Sequence, residues 1–457
     1  MAREDCYSWG VFARIPFPRL LLLALLVRLA AVGASFVIPR ALSLRDFHAP
    51  AAGCASAAEW LARRPVCAPL AEDETAHDAL GRSIAAGRGY VLAYPWVYNT
   101  ANAPTAYGNF LYPAFVGGVY AVSGGSALAL MLIQVLLGAW AVIALAACAR
   151  DLAGERAGVA VGLVAALHPG LVLSSVLVLT EALEVPILVG LFFAWTRFVR
   201  GPSGRGAVLV GALAAAACLT RSPALYAIPV MALVSFAGRD ARAALRPRLL
   251  LAAAGVAALL MAPWAVRNAA HFGAFVPADT KAGAALWLFN HPSPSPLREV
   301  WTRLPNAVPP PAPIPGLNEA QAERHFRGLA LRYIGGAPVA FAEASLLRLG
   351  MFLAPFPRDW DLPWLKGALS ALYAAVTWLG IAGLWRARRR FEVRALIGLL
   401  AAWTALLCAT STGLRHRLSA EWILAFGAGL LLAEWWAARA ARGTPFPNAA
   451  PGGTIGP

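Results

Sequence analysis

The sequence predicts an all-α polytopic membrane protein of about ten spans, and three observations together carry that prediction. Hydrophobic residues make up 59% of the 457-residue chain and charged residues 14%, where a soluble domain carries roughly a quarter charged. Mean hydropathy is +0.62. Apolar runs approaching the roughly 20 residues that cross a bilayer alternate along the chain with short segments rich in arginine. The formal net charge of +16 does not point to nucleic acid. The cations lie scattered at the ends of apolar runs, not gathered in a stripe with interleaved aromatics. Clusters of that kind are what the cytoplasmic loops of membrane proteins carry. Of 39 basic residues only Lys281 and Lys366 are lysine.

Arg3, Arg14 and Arg19 precede a first apolar run at about 20–38. It exceeds the roughly 7–15 residues of a signal-peptide core and reads as a first span with its N-terminus inside. Arg28 falls within it, and a charge at that depth needs a partner or a route to the interface. A polar loop at about 40–108 follows and holds Cys54 and Cys67, which can pair if the loop faces an oxidising compartment. Such a bridge is worth about 3 kcal/mol in the chain-entropy model. The six cysteines show no Cys-x-x-Cys or Cys/His metal spacing. The run at 109–124 is apolar but short for a span, and its glycines and Pro113 weaken it as a helix.

Spans are then expected at about 126–148, 157–176, 182–199, 206–220, 223–237 and 249–265, and later at 363–385, 395–413 and 419–437. The arginine clusters at 150–156, 197–205, 239–248 and 386–394 all fall on one side if 109–124 does not cross. The positive-inside rule makes that side cytoplasmic, so 109–124 reads as an interfacial or re-entrant helix. Two large segments, about 40–124 and 266–362, then lie on the exterior face and carry interfacial helices. The second holds the stretch PNAVPPPAPIPG, which favours polyproline II. A helix over 318–334 follows with Asn318 as its N-cap, then an apolar helix over 338–354 along the membrane surface. Residues 1–437 read as one membrane-embedded catalytic domain and 438–457 as a disordered cytoplasmic tail.

The stretch Ala71–Tyr90, AEDETAHDALGRSIAAGRGY, clusters Glu72, Asp73, Glu74 and Asp78. Carboxylates beside a membrane are either a reaction centre or the wetted face of a loop helix. The expected topology turns them outward, together with Glu181, Arg221, Arg267, Asn268, Lys281, Arg415, His416 and Arg417. Guanidinium groups hold phosphate bidentately, and a carboxylate accepts the proton of an incoming nucleophile. That face therefore suits a phosphate-bearing lipid. Taken singly, arginines at span ends also snorkel to headgroups, Glu181 also suits a helix N-terminus, and His77 also suits a loop surface. Transporters instead gather polar residues near the midplane on broken helices, whereas here only Arg28 lies clearly within a span.

The run DETAHDALGRSIAAGRGY resembles the first exterior loop of lipid-linked-sugar transferases of the protein O-mannosyltransferase and aminoarabinose transferase type (glycosyltransferase family 39-like). Their pattern is Asp-Glu, two residues, Tyr, a helical segment, then Gly-x-Gly-Tyr. Asp73, Glu74, Gly87, Gly89 and Tyr90 fit it, and His77 stands where that family usually has Tyr. Further similar segments follow in order: Tyr112-Pro113, LHPGLVLSSVLVLTE ending at Glu181, and LTRSP around Arg221 with Ser222 inserted before the proline. PWAVRNAAHFGAF with Arg267 and Asn268, LWLFNHP, and LRHRLSAEW with Arg415 and Arg417 complete the set.

The resemblance implies a GT-C type helix bundle with its active site at the exterior face. It implies a polyprenyl-phosphate-linked sugar as donor and an inverting displacement at the anomeric carbon. Asp73 becomes the catalytic base, with Glu74 behind it or orienting the acceptor. His77, Glu181, Arg221, Arg267, Asn268, Arg415 and Arg417 become donor or substrate contacts, and Glu72 and Asp78 return to the wetted surface. No cofactor is indicated, because lipid phosphate is already an activated leaving group that needs a base and anion stabilisation more than a metal. Some enzymes of this type do use a divalent ion. The expected partners are the donor, an acceptor that is lipid, glycan or protein, and membrane lipids, with no nucleic acid. Composition and resemblance together imply a bacterial inner membrane with the site facing the periplasm. A lipid-glycan polymerase or ligase is the alternative within this class, and a transporter or flippase the alternative outside it.

Overall fold

Alanine, leucine and valine fill the apolar runs, and inside a bilayer a chain of such residues can satisfy its backbone only as helix or closed barrel. The computed structural model describes residues 17–41, 72–92, 102–242, 246–291, 314–355, 363–410 and 416–443. Cys54, Cys67, Arg415, most of the Pro-rich stretch and the tail beyond 443 lie outside the described residues. The helices in chain order are α1 Phe17–Ala41, α2 Glu72–Ala85, α3 Leu111–Ser123, α4 Ala127–Ala153, α5 Glu155–Leu167, α6 Pro169–Leu173, α7 Glu181–Arg200, α8 Gly204–Thr220 and α9 Ala224–Ser235. They continue as α10 Arg239–Arg242, α11 Pro247–Phe272, α12 Lys281–Phe289, α13 Glu319–Gly336, α14 Pro338–Leu353, α15 Pro363–Ala387, α16 Phe391–Ala409 and α17 Leu418–Gly443. Among the described residues the strand-like pairing is a single bridge between Val91 and Pro104.

Six helices among the described residues are long and apolar enough to cross a membrane: α4, α7, α11, α15, α16 and α17. The expected ten is not reached by that measure. The apolar helices α8 and α9 have 17 and 12 residues, and the run expected to span 157–176 is broken. There α5 stops at Leu167, His168 turns to extended backbone, and Pro169 opens the five-residue α6. Proline disfavours helical geometry in the residue before it, which places the break. At 109–124 the helix α3 has 13 residues, about 20 Å at the helical rise and short of a roughly 30 Å hydrocarbon core. The Asn318 cap is present as a full capping box with Gln321. Beyond it, α14 turns away from α13 by 103°.

The stretch Ser174–Thr180 has an incomplete helical ladder and is mostly buried, so its backbone groups need partners from elsewhere. Gln134 on α4 donates to the carbonyls of Ser175 and Leu177, each at 3.1 Å. Glu74 on α2 accepts the Val178 N–H at 2.8 Å. Just upstream, Arg28 donates to the Leu171 carbonyl at 3.3 Å. Arg28 is 1% exposed, so the charge in the first helix is met by backbone oxygen inside the bundle.

Small residues set how closely the long helices approach. On α15 and α17, a Cβ at Gly383 would overlap the carbonyl oxygen of Gly427, and one at Gly380 would press on the backbone of Leu424. Trp403 and Trp422 are among the largest fully buried side chains, whereas Trp364, Trp378, Trp385, Trp435 and Trp436 are exposed. Gly383→Leu is therefore expected to lower the thermal midpoint of the detergent-solubilised protein through an overpacking cost of at least about 1–3 kcal/mol. An unchanged midpoint would contradict this contact.

Candidate active site

The acidic stretch folds into α2, and its face is not wetted. Glu74, His77 and Asp78 are 1%, 4% and 4% exposed. Asp78 accepts from the Tyr120 hydroxyl and from Arg82 Nε at 2.8 Å, and the Arg82 guanidinium lies 4.8 Å from the Tyr120 ring centroid. The assignment of Asp78 to a solvated surface is thus corrected: it fastens α2 to α3. His77 sits edge-on to Tyr112, with centroids 5.3 Å apart, and the Tyr112 hydroxyl donates to Gln134 Oε1 at 2.8 Å. Glu74 is committed to the irregular stretch through Val178. The side chain of Glu72 lies outside the described residues.

Asp73 faces elsewhere. Its Oδ1 accepts from Lys281 Nζ at 3.2 Å, and the two side chains are 19% and 38% exposed. Lys281 opens α12. Its backbone N–H donates to Asp279 Oδ1 at 3.0 Å, and its ammonium stands 5.5 Å from the Tyr107 ring centroid. The helix is seated against α13 at Gly283, where a Cβ would overlap the Glu323 carbonyl oxygen. Asp279 is half-buried, with Ser222 near it. Burial pushes its carboxyl above the usual range, with that hydroxyl and the Lys281 N–H opposing the shift.

Arg221 occupies the extended turn between α8 and α9. Its Nη1 reaches Glu181 Oε1 at 2.7 Å and Glu184 Oε2 at 3.4 Å, both on the opening of α7. Ser419 on α17 closes the group, accepting from Arg221 at 3.1 Å and donating to Glu184 at 2.6 Å. Burial disfavours the Arg221 charge, but Glu181 and Glu184 outweigh it, with a further contribution from Asp73, and hold the guanidinium above its ordinary pKa. The field of Asp73 thus reaches this cluster.

Arg267 and Asn268, near the end of α11, bind the loop segments around Tyr90, Thr105 and Val276. Arg267 donates to the carbonyls of Thr105 at 2.8 Å and Tyr90 at 3.4 Å, and to Asn268 Oδ1 at 2.8 Å. Asn268 donates to the Val276 carbonyl at 3.0 Å. Gly87 and Gly89 take φ of 71° and 78°, a region L-residues rarely adopt, which brings Tyr90 round so that its hydroxyl donates to the carbonyls of Gly108 and Asn109 at 2.9 Å. Arg417 is fully buried on another network. It donates to Glu421, to the Phe352 carbonyl and to Thr377 Oγ1 at 2.7 Å, and His168 approaches Glu421 at 3.2 Å.

Of the residues singled out in the sequence, Glu181 and Arg221 are in contact and Asp73 lies within electrostatic reach of Arg221, Glu74 and His77 turn into the protein, and Arg417 lies in a separate cluster. Lys281 was expected on the same face but without a role, and Ser419, Asp279, His168 and Glu421 were not expected in a site. Lys281 had a signal in being one of two lysines, and His168 and Glu421 had one as ionisable residues within apolar runs. Ser419 had none. Among the described residues no group of three or more His, Cys, Asp or Glu is placed to hold a metal ion. Asp73 is engaged by Lys281, and Glu181 and Glu184 by Arg221, so this donor set does not fit a divalent ion.

Residues 108–266 match the family described as dolichyl-phosphate-mannose-protein mannosyltransferase. No curated protein matches the chain in sequence. In structure the chain is similar to the oligosaccharyltransferase of Archaeoglobus fulgidus. Against its complex with zinc and sulfate the TM-score is 0.54 at 15% identity, covering 93% of this chain and 50% of that one. Against the form tethered by a disulfide to an acceptor peptide with the NVT sequon, the values are 0.53 and 15%, covering 95% and 51%. Against AglB with an inhibitory peptide and a dolichol-phosphate they are 0.53 and 15%, covering 96% and 53%. The chain thus spans about half the length of these structures. The fold is a helix bundle of the GT-C type, and the six long apolar helices mark an integral membrane protein whose residues 108–266 are similar to the mannosyltransferase family.

Removing one partner of a buried ion pair strands the others at a cost of about 3–5 kcal/mol. Arg221→Ala, which leaves Glu181 and Glu184 buried, is accordingly expected to destabilise the protein by about that amount. Denaturation in detergent measures it.

Proposed function

We propose that the chain transfers a sugar from a polyprenyl-phosphate donor to an acceptor hydroxyl or amide by inverting displacement, with Asp73 as the base. The single observation that carries this reading is the contact of Asp73 with Lys281: a partly accessible carboxylate paired with an ammonium in a GT-C type bundle, with Arg221 within electrostatic reach. The acceptor approaches the anomeric carbon from the face opposite the lipid phosphate. Its heteroatom forms the new bond as the carbon–oxygen bond to phosphate breaks, the phosphate leaves with that electron pair, and Asp73 takes the acceptor proton. Cations beside the leaving phosphate stabilise the charge that develops there.

Arg221 and Arg267, both partly accessible, face the donor phosphate in this reading, and so does Arg415. Arg417 instead joins α17 to α14 and α15 through Phe352 and Thr377. Glu74 and His77 hold α2 in place, and residues 1–437 act as one catalytic domain. The archaeal neighbour was solved with a dolichol-phosphate, a lipid phosphate of the proposed donor class. The arginine clusters at 150–156, 197–205, 239–248 and 386–394 support a cytoplasmic placement of that side, with the site on the exterior face of a bacterial inner membrane.

Asp73→Asn is expected to lower transfer by about 100-fold or more, the usual weight of a general base, with the thermal midpoint unchanged. Near wild-type transfer would overturn the assignment. Lipid and glycan profiling of cells lacking the protein identifies donor and acceptor for that assay.

A further inference from the structure

We propose that Lys281 is the positioning residue of Asp73, holding the carboxylate charged and in place for the acceptor; this rests on the reading of Asp73 as the base. The pair joins residues 208 positions apart, so it exists only because the second exterior segment folds back onto α2. A partly exposed ion pair contributes little to stability, because ordering its side chains offsets a weak attraction in water. Stability does not account for it. Yet Lys281 is held from several sides: its N–H by Asp279, its ammonium beside Tyr107, and its helix by the close seat of Gly283 on α13.

The residue type matters. The chain uses arginine for nearly every other cation, and an arginine facing a carboxylate tends to engage both oxygens in a planar fork. The lysine here is a point charge meeting Oδ1. It orients the carboxylate without that fork.

The surroundings require such a charge. Asp73 lies within electrostatic reach of Arg221 on the α8–α9 turn, which itself pairs Glu181 and Glu184 of α7, and Asp279 accepts from the Lys281 N–H. Arg221 is committed to two of the acids. Like charges favour protonation of a carboxylate and an adjacent cation opposes it. Lys281 contacts Asp73 directly.

Competitive acetylation of the purified full-length chain tests the coupling without a substrate, because the two lysine peptides are resolved by mass and Lys366 serves as internal reference. In Asp73→Asn, Lys281 is expected to acetylate several-fold faster relative to Lys366 than in the wild type. Equal relative rates would overturn the proposal. With the donor that supports wild-type transfer, Lys281→Gln is expected to move the acid limb of kcat/KM up by about one pH unit or more. That amounts to about a tenfold loss below the limb and little change above it, with Lys281→Arg restoring the limb. A pH-independent loss or an unmoved limb in Lys281→Gln would also overturn it. Retained transfer in Asp73→Asn, by contrast, would remove the base reading itself, and so separates the two failures.

Discussion

A buried backbone group must find a partner, and in this bundle that demand is concentrated where the helix after Glu155 breaks at His168–Pro169. The chain from Ser174 to Thr180 cannot complete its own ladder. Side chains from three other helices complete it: Arg28 of α1 just upstream, Gln134 of α4, and Glu74 of α2. Each is a polar residue drawn inward by the same need. Because Glu74 is spent there, α2 is held against the bundle at a set height and rotation. The adjacent Asp73 then faces the segment that carries Lys281.

That division of labour explains how one run of four acids comes to contain different chemistries. Neighbouring positions on a helix point about 100° apart, given 3.6 residues per turn. Glu74 and Asp78, one turn apart, share the inward face and are consumed by Val178, Tyr120 and Arg82. Asp73 lies off that face, partly accessible and next to an ammonium. The cations divide in the same way. Arg417 is sealed within the bundle and Arg267 grips loop carbonyls, whereas Arg221 balances two buried acids at the edge of the Asp73 field.

Much of the architecture was legible because apolar run length and helix punctuation are local properties. The capping box at Asn318, the turn at Arg221, the short helix at 111–123 and the long helices all follow from residues near in sequence. The span expected at 157–176 failed because hydropathy does not register a proline that opens a new helix. Asp78 was assigned to solvent because its partner Tyr120 lies 42 residues away.

The sequence alone determined an all-helical membrane protein and carried a resemblance to lipid-linked-sugar transferases, and that resemblance is what pointed to Asp73. Composition and short-range spacing carry that information. Only the tertiary structure decided what touches what: Lys281 on Asp73, Ser419 between Arg221 and Glu184, and Arg417 turned away from both. These contacts join residues 40 to 235 positions apart. Their existence depends on how the helices pack, and charge or hydropathy along the chain leaves that open.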